Sequence, residues 1–152
     1  MSKFKDIKTA LIGAGVMGNH HARILNEISN FSVVCDPDRV QAHPIVSKYG
    51  VTYCSDISQI PEEIDSVVIA APTAYHEEIA LDLLNSGKNM LIEKPLSHTV
   101  SSGQKILKEC QKSNATVAVG QIERFNPVIE KAKEKIINGD WGDIVSISAR
   151  RF

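Results

Sequence analysis

Three features of this chain have residue types and spacing suited to chemistry: a glycine-rich turn, an aspartate and a lysine. The turn, Gly13-Ala14-Gly15-Val16-Met17-Gly18, matches G-x-G-x-x-G without a substitution. In a pyrophosphate site each glycine has a task. Gly13 permits the tight turn, Gly15 leaves the backbone open to the phosphates, and Gly18 lets the following helix pack closely. The unpaired amides at the helix start, with the positive end of its dipole, then face the anion. A glycine turn that binds nothing can have the same residues, and the motif by itself does not separate the two readings.

Asp36 comes after the last glycine at about the 20-residue spacing at which a dinucleotide fold places an acid. A carboxylate there accepts hydrogen bonds from the adenosine ribose hydroxyls and repels a 2′-phosphate, which favours NAD over NADP. The same side chain would serve as an Asx turn or helix N-terminal acid before Arg39, and the two uses are compatible. Arg39 keeps NADP open, because a guanidinium nearby accommodates a 2′-phosphate. Lys94 is the group suited to proton transfer or carbonyl polarisation at neutral pH, provided partial burial brings a lysine into that range. The ordinary alternative is a surface lysine in a loop.

These residues need rigid elements to hold them. Thr9 to Ile12 is a short apolar run of strand length that leads into the glycine turn, and from Val16 to Ile28 the apolar spacing becomes helical. Phe31 to Cys35 is a second strand, ending in Asp36-Pro37-Asp38. A helix is expected over 39–49, although Pro44 suits only a first turn, and Gly50 stops it. Val51 to Cys54 is a short strand, and Ser55-Asp56 caps a short turn of helix. Asp65 to Ala71 reads as a central parallel strand covered on both faces. A helix from Tyr75 to Asn85 stops at Gly87, Asn89 to Ile92 is the next strand, and a helix over 99–113 leads to Thr116 to Val119. Strands alternate with helices and no hairpin signal intervenes. The fold class is therefore α/β, a doubly wound parallel sheet with right-handed crossovers.

In such a sheet ligands bind beyond the carboxyl ends of the strands. The strand ends run into the glycine turn, Asp36, Ala71-Pro72-Thr73, Glu93-Lys94-Pro95 and Gln121 to Asn126, in chain order. Every unusual cluster falls on one rim, which is read as the cofactor site.

The last stretch has a different pattern. Asn126 can cap a helix with Pro127 at its first position. Val128 or Ile129, Ala132 and Ile136 give that helix one apolar stripe. Ile144 to Ala149 then alternates apolar with small polar residues, the signature of a strand with one exposed face. The expected organisation is a dinucleotide-binding domain over 1–122, with a connecting helix and the first strand of an incomplete second domain over 123–152.

Bulk properties narrow the classes. The chain has 152 residues, 43% hydrophobic and 23% charged, with a formal net charge of −1. That is a globular composition with room for a core. The charge balance gives no support to nucleic-acid or membrane-surface binding, and no apolar run approaches the roughly 20 residues of a membrane span. Cytoplasmic location is the default expectation. Cys35, Cys54 and Cys110 lack metal-ligand spacing and read as small core residues. No metal site is expected from the histidines either. His21 shares a helix face with Met17, Ile24, Leu25 and Ile28 and reads as a core residue, whereas His76 opens the helix after Thr73, on the rim, and is a candidate cofactor contact.

The G-x-G-x-x-G turn, Asp36-Pro37-Asp38, Ala71-Pro72-Thr73 with His76, and Glu93-Lys94-Pro95 together resemble the Gfo/Idh/MocA oxidoreductase family. The resemblance spans nearly the whole chain, and Glu93-Lys94-Pro95 is its most specific part. It implies a Rossmann-type domain and a nicotinamide-dependent enzyme that moves hydride to or from a hydroxyl-bearing carbon of a sugar, sugar nucleotide or cyclitol. It further implies that Lys94 contacts the reacting hydroxyl and the nicotinamide ribose. Glu93 would help set the nicotinamide pocket, and the bond before Pro95 would often be cis. Gln121 to Pro127 is similar to the segment of members acting on nucleotide-linked amino sugars, while inositol-type members carry a related R-F-x-P. On that basis Gln121 and Arg124 are candidate cofactor contacts and Asn126 a substrate contact. Helix capping by Asn126 and pairing of Arg124 with Glu123 or Glu130 are the equal alternatives.

The resemblance implies a second domain that shapes the substrate pocket and supplies the His or Asp that usually works with the lysine; a homo-oligomer is expected at full length. Without that domain these residues should bind cofactor and not complete turnover. A non-catalytic NAD-binding or sensing module with the same fold is the competing function. A methyltransferase-like nucleotide fold is a third, against which the Glu93-Lys94-Pro95 junction speaks.

Overall fold

A computed structural model describes residues 4–150. The chain divides into two compact units, Met1–Gly120 and Gln121–Phe152. The first contains six strands: β1 (Phe4–Ile12), β2 (Ser29–Cys35), β3 (Thr52–Cys54), β4 (Ser66–Ile69), β5 (Asn89–Ile92) and β6 (Val117–Val119). Helices α1 (Val16–Ile28), α2 (Arg39–Tyr49), α3 (His76–Asn85) and α4 (Val100–Cys110) alternate with them, as expected. The sheet is parallel throughout, in the order β3-β2-β1-β4-β5-β6.

Alternate residues of each strand serve opposite faces, because side chains on a strand repeat every second position. Ala10 and Ile12, Val67 and Ile69, and Met90 and Ile92 join Ile79, Leu83 and Ile106 in one core layer. Leu11, Val34 and Val68 join Ala22, Leu25, Ala42 and Ile45 in the other. The continuous apolar run of β4 results from this burial on both sides.

Three details depart from the sequence reading. Pro44 lies inside α2, beyond its first turn. The helix tolerates it because Asp38 caps the amides of Val40 and Gln41, while Val40, whose carbonyl the proline cannot reach with an N–H, is 83% exposed and open to water. On α1 the buried residues are Gly18, Ala22 and Leu25, whereas Met17, Ile24 and Ile28 are exposed. Small residues face the strand so that the helix can approach it, and this turns the bulkier stripe, His21 included, off the core. Finally, residues 144–149 form no strand, and Val145 is 96% exposed. Among the described residues no strand pairs with this segment, and alternation alone cannot hold a strand whose backbone groups lack partners.

In the second unit, a 3₁₀ turn (Ile122–Phe125) precedes α5 (Pro127–Ile137), which Asn126 caps. Among the described residues no helix is long and apolar enough to cross a membrane.

Candidate cofactor site

The rim at the carboxyl ends of the strands is an extension of the sheet ladder. The first residue past every strand except the edge strand β3 still donates to its neighbour. Gly13 N–H reaches Cys35 O at 2.9 Å, Asp36 N–H reaches Cys54 O at 3.1 Å, Glu93 N–H reaches Ile69 O at 2.9 Å and Gly120 N–H reaches Ile92 O at 2.8 Å. These residues are therefore held by strands rather than by free loops, which fixes them relative to one another.

The glycine turn has the shape its sequence requires. Gly13 adopts φ of +93°, and a Cβ there would lie 2.6 Å from the Ala71 nitrogen. A Cβ on Gly18 would stand 2.0 Å from the carbonyl oxygen of Gly13. Both positions exclude any side chain. Gly15 differs, because a Cβ there would meet only the side-chain nitrogen of Gln41, at 3.3 Å. Its absent side chain is not required by packing, which leaves access to the backbone as its use. Gly15 is also the N-cap of α1, with no side-chain cap and no acid in the first turn. Side chains do cap α2, α4 and α5. The first amides of α1 are thus free for an anion. Asn19 Nδ2 steadies the turn by donating to the carbonyls of Ala14 and Gly15, each at 3.0 Å. Val16 and Met17 are exposed beside it.

Asp36 is 7% exposed. Its Oδ2 accepts the Ala14 N–H at 2.7 Å and its Oδ1 the Asp38 N–H at 2.8 Å. Each oxygen keeps a further lone pair for a hydroxyl donor. Tyr53, which the sequence did not single out, donates its hydroxyl to the Asp36 carbonyl at 2.9 Å and carries the Arg39 guanidinium 5.5 Å over its ring. The Tyr53 hydroxyl titrates above its usual range, chiefly because of desolvation. Arg39 is held at the Asp36 end of the rim by this stacking. Beneath lie Cys35 and Cys54, paired across β2 and β3 and buried. The Cys35 thiol is pushed far up, first by its hydrogen bond with Cys54 and then by burial, as befits a core residue.

The other end of the rim centres on Glu93. It is 7% exposed, and a Cβ on Gly120 would be 3.4 Å from its carboxylate. Oε1 is 2.8 Å from His21 Nε2, and Oε2 accepts the Lys94 N–H at 3.0 Å. The Lys94–Pro95 peptide is cis. Lys94 is exposed rather than partly buried, so its ammonium is open to whatever lies above the rim. Pro72 and Pro95 are exposed too, and Ala71 and Thr73 half-buried. His76 is not on the rim surface. It is 1% exposed, with Nδ1 3.1 Å from Pro95 O and Nε2 2.9 Å from Ala71 O. It ties together the loops after β4 and β5, and it is not placed to touch a ligand.

Gln121, Arg124 and Asn126 belong to the other unit. Asn126 Oδ1 accepts the Val128 N–H at 3.0 Å, which is the capping role, and its Nδ2 donates to Glu123 at 3.0 Å. Gln121 and Arg124 are exposed. His21 is the residue that sequence reasoning misassigned. The signal that would have found it is Gly18 and Ala22, four apart, which set the packed face of α1 and leave His21 turned toward β5.

The rim therefore fits a dinucleotide. It has uncapped amides over a side-chain-free glycine, a buried carboxylate with spare lone pairs at one end, and an exposed lysine beside a held carboxylate at the other. Comparison with known proteins agrees. The chain is 30% identical over 139 residues to 4-carboxy-2-hydroxymuconate-6-semialdehyde dehydrogenase of Sphingobium sp., covering 88% of this chain and 44% of that one. It is 34% identical over 152 residues to an inositol 2-dehydrogenase of Rhodococcus erythropolis, covering 93% and 43%. The crystal structure of UDP-N-acetylglucosamine 3-dehydrogenase from Acidithiobacillus ferrooxidans superposes with a TM-score of 0.79 at 26% identity, covering 84% and 42%. The chain thus spans less than half the length of these relatives. Residues 7–121 match the oxidoreductase family with an NAD-binding Rossmann fold, and the chain belongs to that family, Gfo/Idh/MocA.

Proposed function

We propose that this chain is the cofactor-binding part of an NAD(H)-dependent oxidoreductase that transfers hydride at a hydroxyl-bearing carbon of a sugar, sugar nucleotide or cyclitol. The observation that carries this reading is the Glu93-Lys94-Pro95 turn, fixed at the end of β5 on the same rim as the glycine turn and Asp36. Residues 1–122 would bind the cofactor, and 123–152 would begin the part that shapes the substrate pocket. A cytoplasmic homo-oligomer completes the proposal.

In this reading the free amides of α1, with Gly13 to Gly18, hold the pyrophosphate. Asp36 accepts the adenosine ribose hydroxyls, and its charge opposes a 2′-phosphate, while Arg39 flanks the adenosine. Ala71, Pro72, Thr73, Glu93 and Pro95 wall the nicotinamide side. The bound nicotinamide supplies the hydride acceptor or donor. Lys94 contributes at the substrate oxygen, where its ammonium stabilises developing negative charge and its nitrogen can carry the hydroxyl proton. Solvent access to Lys94 in this unit means that water must be excluded by another surface for that chemistry to be efficient.

The inositol and sugar-nucleotide dehydrogenases among the relatives support a polyol substrate. The test is Lys94→Ala in the enzyme with its substrate-binding part present. Turnover should fall at least about 100-fold, within the range assigned to a general acid–base group, while NADH affinity changes little. Unchanged turnover would remove Lys94 from the chemistry.

A further inference from the structure

The His21 imidazole is hydrogen-bonded to the Glu93 carboxylate, and this bond joins the helix that follows the glycine turn to the Glu93 end of the rim. The core packing of α1 rests on Gly18, Ala22 and Leu25, so the helix does not need His21 for its own burial. The His21 side chain is 20% exposed, and that of Glu93 is 10% exposed. Glu93 is buried beside Gly120, just past the end of β6, where an added Cβ would stand 3.4 Å from the carboxylate. A buried carboxylate requires donors. Among the described residues it has two: Lys94 N–H on Oε2 at 3.0 Å and His21 Nε2 on Oε1 at 2.8 Å. Since an ionised carboxylate only accepts, the imidazole carries its proton on Nε2.

We infer that His21 is a positioning residue: it fixes the Glu93 carboxylate, and through it the Lys94 backbone amide, relative to the helix whose N-terminus faces the cofactor phosphates. α1 therefore sets two things at once. Its first turn presents free amides, and its second turn holds the carboxylate that anchors the lysine's peptide. With His21 removed, the Glu93 backbone stays on the strand ladder, but its carboxylate keeps one donor among the described residues and is free to swing about it, so the Lys94 amide loses its fixed acceptor. This inference rests on the reading that the rim binds NAD.

The test compares His21→Ala and His21→Gln with the unaltered chain. Glutamine places an amide donor where the imidazole Nε2 stood. Two ligands are titrated: NADH, and ADP-ribose, which lacks the nicotinamide. His21→Ala should weaken NADH about tenfold, the scale of one lost hydrogen bond to a charged group, while ADP-ribose affinity stays within about twofold. His21→Gln should restore NADH binding to within about threefold of the unaltered chain, since the donor is returned. In ¹⁵N spectra of the ligand-free chain, the Lys94 amide should move in His21→Ala and return in His21→Gln, with the Gly15 amide unmoved. Parallel loss of both ligands in His21→Ala would overturn the inference, as would no loss of either. So would a glutamine variant that behaves like alanine. If the unaltered chain binds neither ligand, the cofactor reading itself falls, and the Lys94 amide then scores the His21–Glu93–Lys94 link independently.

Discussion

The amide of Ala14, in the middle of the glycine turn, donates to the Asp36 carboxylate at 2.7 Å. The glycine turn proposed to cradle the phosphates and the acid proposed to read the adenosine ribose are thus one hydrogen-bonded unit, spanning the ends of β1 and β2. Removing the carboxylate should act on both. Asp36→Ala is expected to weaken NADH about tenfold or more and to narrow or reverse the preference over NADPH, because a buried negative charge near the 2′ position is gone. Equal loss of both cofactors would separate Asp36 from discrimination and leave it only a loop-anchoring role.

Gly15 and Gly18 should fail in different ways. An added methyl at Gly18 collides with the Gly13 carbonyl, where a Cβ would be 2.0 Å from the oxygen. Gly18→Ala should therefore cost about 2 kcal/mol or more of stability, read as a drop in Tm. Gly15→Ala meets only the flexible end of Gln41, so Tm should change little. It should instead lower NADH affinity, because the methyl occupies the approach to the free amides of α1. Matching Tm losses in the two variants would contradict the distinction.

On the far face, Glu77 of α3 accepts the Ser102 hydroxyl and the Lys105 ammonium of α4. The Ser102 hydrogen bond first, and then Lys105, hold the Glu77 carboxyl below its usual value of 4.5. A carboxyl depressed in the folded chain adds stability that is complete above its unfolded value and is lost as pH falls through the folded one. Glu77→Gln should therefore lower Tm at pH 7, and the gap should close as pH drops below about 4.5. A gap that is constant with pH would mean that the interaction is not electrostatic.

The sheet and the rim were legible because their signals are local. Apolar runs of strand length, helical spacing and glycine stops act within one element, and Asp36 and Glu93 come directly after strands. Three features were not legible in this way. The phase of α1 depends on how closely Gly18 approaches the Gly13 carbonyl, a contact between elements, so His21 read as a core residue. The burial of His76 depends on the Ala71 and Pro95 carbonyls arriving from two different loops. The alternating segment 144–149 has the pattern of a strand, but pairing is a property of two strands, and among the described residues the second is absent.

Calorimetric titration of this chain with NADH, NADPH and S-adenosylmethionine tests most directly that the rim is a nicotinamide dinucleotide site. The expected result is stoichiometric binding of NADH, weaker binding of NADPH because of Asp36, and no heat from S-adenosylmethionine. Binding of S-adenosylmethionine with silence toward both nicotinamide cofactors would contradict it.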